Sequence, residues 1–354
     1  MQKTEMFEKI AELKNKYGSE NAFLFTDPKE IFYLSGAAFD GFWMLFIKEQ
    51  LYVLCSAMVE SQAREFFASA AHIYIGMPLS AAVRDMLKQN QAAILIADSK
   101  YMNAEEFFAI DGKLKEEKIK FVVKSGILDE LRAVKSAVET EKIRKSCQIA
   151  SKVCDEIRKL LKPGLSEIEI HYKIIEFFAQ NQVKESFAPI VAAGANSANP
   201  HHVSSGYKIK QDDIVMIDLG CVYEGYCSDL TRTYFLGKIN EKFKKIWGTV
   251  QESQNAVLKG IKAGLPVSWA DKTARSVISA AGFEHRFIHT VGHGIGTEVH
   301  EMPSLSAKAE GVFFKGMTVT VEPGIYLEGE FGARIEDTIL ITKDGCEVLT
   351  KAAY

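Results

Sequence analysis

Paired cysteines are missing from this sequence. Its six cysteines are scattered, and no two of them have the C-x-x-C spacing of a zinc ribbon or a redox-active pair. Scattered thiols of this kind are typical of reduced, mostly packed side chains in a cytosolic protein. We therefore expect a cytoplasmic protein in which the cysteines have no metal-binding or redox role.

Long apolar runs and an excess of positive charge are also missing. No run reaches the ~18 residues that a membrane-spanning helix needs, and the first six residues have neither the apolar core nor the cleavage site of a secretory signal. The net charge is −3 and the pI is about 6.3, so the chain provides no basic field that would attract phosphates. We expect no membrane partner and no nucleic-acid partner.

The length of 354 residues exceeds what one hydrophobic core usually serves, which predicts two domains. In the first part, residues 43–47 and 51–54 flank a short polar segment and predict a β-hairpin. From about Ile127 the pattern changes to long amphipathic helices. We place the domains at residues 1–125 and 126–354, and we find no catalytic constellation in the first.

The second domain contains a degenerate internal repeat. Lys162-Pro-Gly-Leu165 is echoed by Lys262-Ala-Gly-Leu265, and each copy follows an amphipathic helix. Further along, Asp218, Gly220, Glu224 and Gly225 match Glu322, Gly324, Glu328 and Gly329 at an offset of 104. This pattern predicts two copies of a helix, helix and hairpin unit. A pseudo-twofold axis between the copies would bring the two hairpins into one curved sheet.

Four carboxylates and one histidine in this domain are candidate metal ligands, in the order Asp218, Asp229, His293, Glu322 and Glu336. Two divalent cations bring roughly +4, which four ionised carboxylates would balance while the imidazole binds in its neutral form. The alternative is that these acids are solvated residues at sheet edges. It is disfavoured because Asp218 and Glu322 each follow a strongly apolar strand, where an unpaired charge is costly.

The histidine segment, residues 289–303, carries glycines at positions 292, 294 and 296. Glycine disfavours a helix and lets the backbone approach a ligand closely, so we expect His293 to lie in a tight, glycine-bounded turn. Three histidines within this segment, namely His289, His293 and His300, favour a metal site with further groups around it. His72 and His202 are expected to be structural.

These residues resemble the Xaa-Pro peptidases, the prolidase and aminopeptidase P family of pita-bread metallopeptidases. The strings that carry the resemblance are Ile217-Asp-Leu-Gly220, Gly292-His-Gly-Ile-Gly296, Val299-His-Glu301, Val321-Glu-Pro-Gly324 and Arg334-Ile-Glu-Asp337. A weaker echo lies at Glu30-Ile-Phe-Tyr-Leu-Ser-Gly36. The fold that this implies is α+β, with a smaller α/β creatinase-like N-terminal domain before a C-terminal pita-bread (creatinase/aminopeptidase) domain.

The resemblance also implies roles for individual residues. Asp218 would chelate one metal ion, His293 and Glu322 the other, and Asp229 and Glu336 would bridge the two. His201, His289, His300 and Arg334 would contact or orient the substrate. Glu322 would serve as general base and later as general acid. Phe187, Ile190, Val191 and Tyr326 lie near the motifs in sequence and are candidates for the wall of a proline pocket, but core packing is the expected role for at least half of them.

The implied activity is hydrolysis of the bond before proline in Xaa-Pro dipeptides or short peptides. Two divalent metal ions would lower the pKa of a shared water toward neutrality and polarise the scissile carbonyl. Manganese is expected first, with cobalt, iron and zinc as alternatives for an oxygen-rich ligand set. A homodimer is also expected.

Other activities remain open at this point. An aminopeptidase P acting on longer Xaa-Pro peptides carries the same ligands. Methionine aminopeptidase shares them too, but it typically has histidine where this chain has Asp337 after Glu336, and it lacks the extra N-terminal domain of ~125 residues. A non-catalytic peptide-binding module and the metal-free creatinase are disfavoured because all five ligand residues are present.

Overall fold

A six-stranded sheet forms the centre of the N-terminal unit, Met1–Leu131. The structure is a computed structural model that describes residues 3–76 and 78–354. Met1 and Gln2 lie outside the described residues; they begin the segment that was interpreted above as lacking a secretory signal. The strands are β1 (Ala22–Phe25), β2 (Phe42–Ile47), β3 (Gln50–Cys55), β4 (His72–Ile75), β5 (Ile94–Asp98) and β6 (Lys120–Lys124). They lie in the order β4-β3-β2-β1-β5-β6. The predicted hairpin is confirmed, since β2 and β3 pair antiparallel.

Both faces of this sheet are covered. Successive side chains of a strand point to opposite faces, so the central strands, which are apolar at every position, contribute side chains to two cores. In β1, Phe23 and Phe25 enter one core, whereas Ala22 and Leu24 enter the other. The unit contains the helices α1 (Lys3–Tyr17), α2 (Pro28–Ser35), α3 (Glu60–Phe67), α4 (Leu79–Gln89) and α5 (Ala104–Glu116). Residues of the first three helices line one core, and residues of α4 and α5 line the other.

The C-terminal unit, Arg132–Tyr354, starts within the short helix α6 (Asp129–Ala133). This division falls a few residues after the 125/126 boundary chosen from the sequence. Four longer helices follow: α7 (Ala137–Leu160), α8 (Glu167–Gln180), α9 (Glu241–Gly260) and α10 (Ser268–Ala280). A capping box begins α8, with the Ser166 N–H donating to Glu169 Oε2 at 2.7 Å and the Glu169 N–H donating to Ser166 Oγ at 3.4 Å.

The strands of this unit fall into four small sheets. They are β7 (Lys184–Glu185), β8 (Ile190–Ala193), β9 (Ile214–Leu219), β10 (Cys221–Tyr223), β11 (Tyr226–Cys227), β12 (Leu230–Phe235), β13 (His293–Gly294), β14 (Glu301–Ser304), β15 (Thr318–Val321), β16 (Gly324–Leu327), β17 (Phe331–Arg334), β18 (Asp337–Ile341) and β19 (Cys346–Val348). The sheet orders are β12-β9-β8, β11-β10-β7, β14-β13-β15-β18-β19 and β16-β17. One core joins α7 and α8 to β8 and β9, and a second joins α9 and α10 to β15 and β18.

The internal repeat is visible in the connections as well as in the helices. Gly164 N–H donates to the Ile209 carbonyl at 2.8 Å, and Gly264 N–H donates to the Phe313 carbonyl at 2.8 Å. Both glycines have a positive φ, 96° and 88°, which a residue with a Cβ rarely adopts. The two matching Lys-x-Gly-Leu motifs therefore end matching helices with the same turn and the same anchoring bond.

The two hairpins meet through their inner residues. The Glu336 N–H donates to the Thr231 carbonyl at 3.1 Å, and the Arg334 N–H donates to Thr233 Oγ1 at 3.1 Å. These bonds place the end of β17 and the start of β18 beside β12. The acidic residues of the two repeats are thereby brought to one place.

Two smaller expectations can be compared with the fold. All six cysteines are free thiols, and only Cys346 is not fully buried, as expected for packed side chains. Within residues 3–76 and 78–354, no helix combines the length and the hydropathy needed to cross a bilayer.

Candidate metal centre

The five predicted ligands lie at strand ends around one point of the C-terminal unit. Asp218 is in β9, Asp229 precedes β12, and Glu336 lies between β17 and β18. One ligand atom from each of Asp229, His293 and Glu336 lies within 4.8 Å of the others. His293 Nε2 is 3.3 Å from Glu322 Oε1 and 3.7 Å from Asp229 Oδ2. The strands therefore gather onto one site donor atoms from residues as much as 118 positions apart in sequence, the separation of Asp218 and Glu336.

Two carboxylate oxygens at this site fit a cation. Among the residues that the structure describes, Asp218 Oδ1 and Asp229 Oδ1 are buried side-chain atoms with no hydrogen-bond partner. An ionised oxygen in that position costs several kcal/mol unless a positive charge faces it. The set of four carboxylates and one imidazole suits hard or borderline divalent ions, and the orphaned oxygens are where such ions would bind.

Crowding of like charges changes the pKa of the acids. Burial, followed by the charges of neighbouring carboxylates, raises the pKa of both Asp229 and Glu336 well above the ordinary range. Burial also raises the pKa of Asp218, although the guanidinium of Arg334 opposes it. Without cations, Asp229 and Glu336 therefore hold their protons more tightly than ordinary acids do, because no positive charge balances the crowded carboxylates.

Glu322 behaves in the opposite way. Burial raises its pKa, but the hydrogen bond and charge of His293, together with His289 and Arg334, outweigh burial and bring the pKa to about 2. The hydrogen bond and the charge of Glu322 raise the pKa of His293 in return, although burial lowers it. Glu322 is consequently the acid of the cluster that stays ionised at neutral pH without help from a metal.

Arg334 lies behind the carboxylates and is only 4% exposed. Its Nη2 donates to Asp218 Oδ2 at 2.6 Å, and its Nε donates to Thr231 Oγ1 at 3.0 Å. Thr231 in turn donates to Glu336 Oε2 at 2.6 Å. The guanidinium thus fixes one oxygen of Asp218, leaving Oδ1 for a metal, and it orients Glu336 through Thr231.

The three predicted histidines surround this centre unequally. The His300 ring packs against the His293 ring, with centroids 4.3 Å apart at 62°. His289 Nε2 is 2.9 Å from the Tyr326 hydroxyl, which also accepts from Arg334 Nη1 at 3.0 Å. His201 is exposed. Burial is the main cause that lowers the pKa of His289 and of His300, Arg334 adds to it for His289 and His293 for His300, and His201 makes a smaller contribution to both. All three histidines therefore lie close enough to the site to affect one another.

Comparison with known proteins now places the chain. The model of metallopeptidase family M24 matches residues 141–343, which is more than half of the sequence, and the Creatinase/Prolidase N-terminal domain matches residues 10–134. The chain belongs to metallopeptidase family M24. The resemblance and the fold class predicted from the sequence motifs are confirmed.

Relatives of this M24 metallopeptidase include several proline peptidases. An Xaa-Pro dipeptidase from Pyrococcus horikoshii is 41% identical over 226 residues, an alignment that covers 64% of this chain and 64% of that protein. The structure of an Xaa-Pro dipeptidase from Bacillus anthracis has a TM-score of 0.94 and 32% identity, covering 99% of this chain and 98% of that one. An X-Pro aminopeptidase from Thermotoga maritima has a TM-score of 0.88 and 28% identity, covering 97% and 98%. Both activities are therefore represented among similar folds.

The expectation that His293 lies in a tight turn is wrong. His293 and Gly294 form β13, which pairs with β14 and β15. A Cβ at Gly292 would lie 2.1 Å from the Thr320 carbonyl oxygen, and one at Gly294 would lie 2.2 Å from the Met302 carbonyl oxygen. The glycines serve close strand packing around the histidine rather than a turn.

Sequence reasoning missed Thr231 and Thr320. Thr231 connects Arg334 to Glu336, and Thr320 Oγ1 accepts from the His293 N–H at 3.1 Å and donates to Glu322 Oε1 at 3.3 Å. Each threonine is two residues from a predicted ligand, Asp229 or Glu322. Because alternate residues of a strand share a face, that spacing was a usable signal.

The candidate proline-pocket residues are not equivalent. Ile190 pairs with Asp218 across β8 and β9 and packs with Met216 and Tyr326. Val191 is fully buried in the core below α7 and α8, because it faces the opposite side of β8. Val191 therefore has the core-packing role expected for some of the four candidates and does not line the pocket. Phe187 is half-buried.

Replacing Glu336 by glutamine should change how the stability of the metal-free protein depends on pH. Below about pH 4 the native and unfolded states both hold this proton, so the substitution removes no charge. At higher pH the unfolded state releases the proton while the native state retains it, because the native pKa is raised. The stability of the wild type relative to Glu336→Gln should therefore fall as pH rises from about 4 to 7.

Thermal unfolding of chelator-treated protein across this pH range measures the effect. Glu328→Gln is the matched control, since Glu328 is exposed in the turn after β16 and should leave the curve parallel to that of the wild type. A difference in melting temperature between wild type and Glu336→Gln that does not change with pH would contradict the raised pKa of Glu336.

Proposed function

We propose that this protein is a peptidase that uses two divalent metal ions to hydrolyse the bond before proline in Xaa-Pro dipeptides or short peptides. The observation that carries the proposal is the convergence of four carboxylates and His293, with two orphaned buried oxygens, beside three histidines and a buried arginine. The similarity of this chain to the Xaa-Pro dipeptidases of Bacillus anthracis and Pyrococcus horikoshii supports it.

The proposed roles follow the donor set. Asp218 would hold one ion, His293 and Glu322 the other, and Asp229 and Glu336 would bridge them. When bound, the ions would supply Lewis-acid activation of the attacking water and of the scissile carbonyl. Manganese is our first choice for an oxygen-rich site, with cobalt, iron or zinc as alternatives.

The remaining steps belong to the side chains. Glu322, ionised at neutral pH, accepts a proton from the attacking water and returns it to the prolyl nitrogen as the bond breaks. Burial lowers the pKa of His300, so a neutral imidazole is available at pH 7 to hydrogen-bond the tetrahedral oxyanion or the substrate carboxylate. Both ring nitrogens of His289 already have partners, the Thr290 carbonyl at 2.7 Å and the Tyr326 hydroxyl at 2.9 Å, so His289 would orient the substrate through Tyr326. Ile190 and Tyr326 would contact the proline ring, whose tertiary amide offers no N–H and so needs no acceptor in the pocket.

An aminopeptidase P acting on longer peptides is the second candidate, supported by the Thermotoga maritima structure. The two activities share the metal ligands, so the ligands do not separate them. Methionine aminopeptidase is opposed by the match of residues 10–134 to the Creatinase/Prolidase N-terminal domain and by Asp337 after Glu336. We further propose domains at 1–125 and 126–354, a homodimer and a cytoplasmic location.

An assay of chain length and metal tests this function. Chelated protein, reloaded with Mn²⁺, Co²⁺, Fe²⁺ or Zn²⁺, would be offered Leu-Pro, Leu-Pro-Ala, Leu-Ala and Met-Ala-Ser. We expect cleavage of Leu-Pro, slower cleavage of Leu-Pro-Ala, and little of Leu-Ala, which controls for the proline requirement. Preference for Leu-Pro-Ala would favour aminopeptidase P. Cleavage of Met-Ala-Ser alone, or no cleavage with any metal, would contradict the proposal.

A further inference from the structure

Glu167 is a fully buried carboxylate outside the metal centre. It is the first residue of α8 and is 0% exposed. Its Oε1 accepts from Ala193 N–H at 2.8 Å and from Asn196 Nδ2 at 2.9 Å. Its Oε2 accepts from His202 Nε2 at 2.8 Å, Ser205 N–H at 3.0 Å and Ser205 Oγ at 2.6 Å. Five donors from residues 193–205 therefore converge on one side chain.

The donors lie at the two ends of one loop. Ala193 and Asn196 lie at the start of the loop, at the end of β8 and just after it. His202 and Ser205 lie at its far end, where the chain passes beside the first turn of α8. The return is reinforced by the Ile168 N–H, which donates to the Ser205 carbonyl at 2.9 Å. His201 lies between the two anchored ends with its side chain exposed. Glu167 thus holds both ends of the His201 loop, residues 194–204, to the body of the unit. Two single bonds add to this anchor, since Ser204 Oγ accepts from the Val191 N–H and Ser197 Oγ accepts from the Gly332 N–H, each at 2.9 Å.

The second repeat holds its own histidine loop with a buried acid of the equivalent helix. Asp271 of α10 is 0% exposed, accepts from the Val291 N–H at 3.1 Å and pairs with Arg275. Arg275 Nη2 donates in turn to the His289 carbonyl at 2.9 Å. The same kind of support therefore occurs in both halves of the repeat, which argues against an accidental arrangement around Glu167.

Resting on the function proposed above, we propose that Glu167 is a positioning residue for peptide hydrolysis, which fixes the His201 loop so that the His201 imidazole meets the substrate in one place. Glu167 does not contact the metal centre itself. It acts through the loop, and His202 contributes to the anchor rather than to the site.

Glu167→Gln removes the anchor with little change in shape. A carboxylate accepts at both oxygens, whereas an amide has one accepting oxygen and one donating NH₂ group. Whichever way the amide turns, its NH₂ faces a backbone N–H, either that of Ala193 or that of Ser205. One backbone donor of the loop therefore always loses its acceptor, because a backbone N–H cannot accept a hydrogen bond, and that end of the loop is held less tightly.

Kinetic measurements would show whether loosening the loop lowers activity by displacing His201. We expect Glu167→Gln to lower kcat/KM for an Xaa-Pro dipeptide about 10- to 100-fold, at unchanged metal content. In a double-mutant cycle the fold-loss in kcat/KM should not multiply with that of His201→Ala, since both substitutions remove the same contribution, that of the positioned His201 imidazole. Glu176→Gln, at an exposed position of the same helix, is the matched control and should behave as the wild type. Losses from Glu167→Gln and His201→Ala that multiply would overturn the proposal.

Hydrogen exchange tests the loop without relying on activity. Backbone amides of residues 194–204 should exchange at least about tenfold faster in Glu167→Gln, while residues 287–305 remain unchanged. If that variant fails to fold, Asn196→Ala removes a single donor and should speed exchange in the same segment to a smaller degree. Unchanged exchange in 194–204 would overturn the proposal. A wild type that cleaves no Xaa-Pro peptide would instead defeat the proposed function, and the exchange result would remain informative about Glu167.

Discussion

Replacing Asp229 by asparagine should abolish peptide hydrolysis and, in the metal-free protein at pH 7, raise the melting temperature. A bridging carboxylate lost from a dinuclear site removes a ligand from both ions at once. Transition-state stabilisation of several kcal/mol is at stake, so activity should fall below about a thousandth of the wild-type value. Metal content after dialysis should fall with it.

The rise in stability has a separate cause. Asp229 is 5% exposed, and burial together with the charges of Glu336, Asp218 and Glu322 raises its pKa. Folding the metal-free wild type at pH 7 therefore requires either a buried proton uptake or an unbalanced charge, and asparagine requires neither. Each kcal/mol recovered should raise the melting temperature of a chain of this size by about 2–4 °C.

Asp337→Asn is the matched control, because Asp337 is equally buried but belongs to a compensated pair. Its Oδ1 is 2.8 Å from Arg232 Nη2, and Thr350 Oγ1 donates to the same oxygen at 2.7 Å. Removing this charge leaves a buried guanidinium unpaired, so stability should fall by about 3–5 kcal/mol while metal binding is retained by the folded protein. A lower melting temperature in metal-free Asp229→Asn would contradict the uncompensated burial of Asp229, and wild-type metal content in the same variant would contradict its assignment as a metal ligand.

The repeat and the strand pattern made most of the fold predictable. Apolar strands that end in an acid, two matching Lys-x-Gly-Leu motifs and the offset of 104 residues are local signals, and each corresponds to an observed turn or hairpin. The four acidic candidate ligands could be selected for the same reason, since buried strand ends do not tolerate unpaired charge.

Contacts between the two hairpins were not predictable in this way. The pairing of Arg334 with Asp218 joins residues 116 positions apart, and the link from Thr231 to Glu336 joins residues 105 positions apart. Such contacts depend on the relative placement of two hairpins, which no local pattern specifies. The same holds for Glu167, whose five donors become neighbours only when the loop closes on α8.

The turn predicted at His293 failed for a related reason. Glycine indicates either a positive φ or a close approach of another chain segment, and sequence alone does not distinguish the two. Here the carbonyl of Thr320 occupies the space that a Cβ of Gly292 would need. The neighbouring strand, rather than the glycine's own conformation, decides the structure.

Two substitutions of Glu322 should separate its binding role from its proton-transfer role. Glu322→Ala removes both oxygens, and we expect loss of metal and of activity together. Glu322→Gln retains an oxygen that can bind a metal and accept from Thr320 Oγ1, which now donates at 3.3 Å, but an amide does not take up a proton at neutral pH. Activity of the glutamine variant at saturating metal should therefore fall by about 10²- to 10⁴-fold, the usual contribution of a general base.

Metal content after dialysis and kcat at saturating metal give the two readouts. Glu328→Gln again serves as the control, because its exposed carboxylate lies in the turn of the hairpin that follows Glu322. Its metal content and kcat should equal those of the wild type. Full activity in Glu322→Ala would refute both assigned roles. Wild-type kcat in Glu322→Gln would refute the second role alone and would assign proton uptake to another group at the site. His300, whose ring centroid lies 4.3 Å from that of His293 and whose pKa is lowered by burial, would be the first candidate.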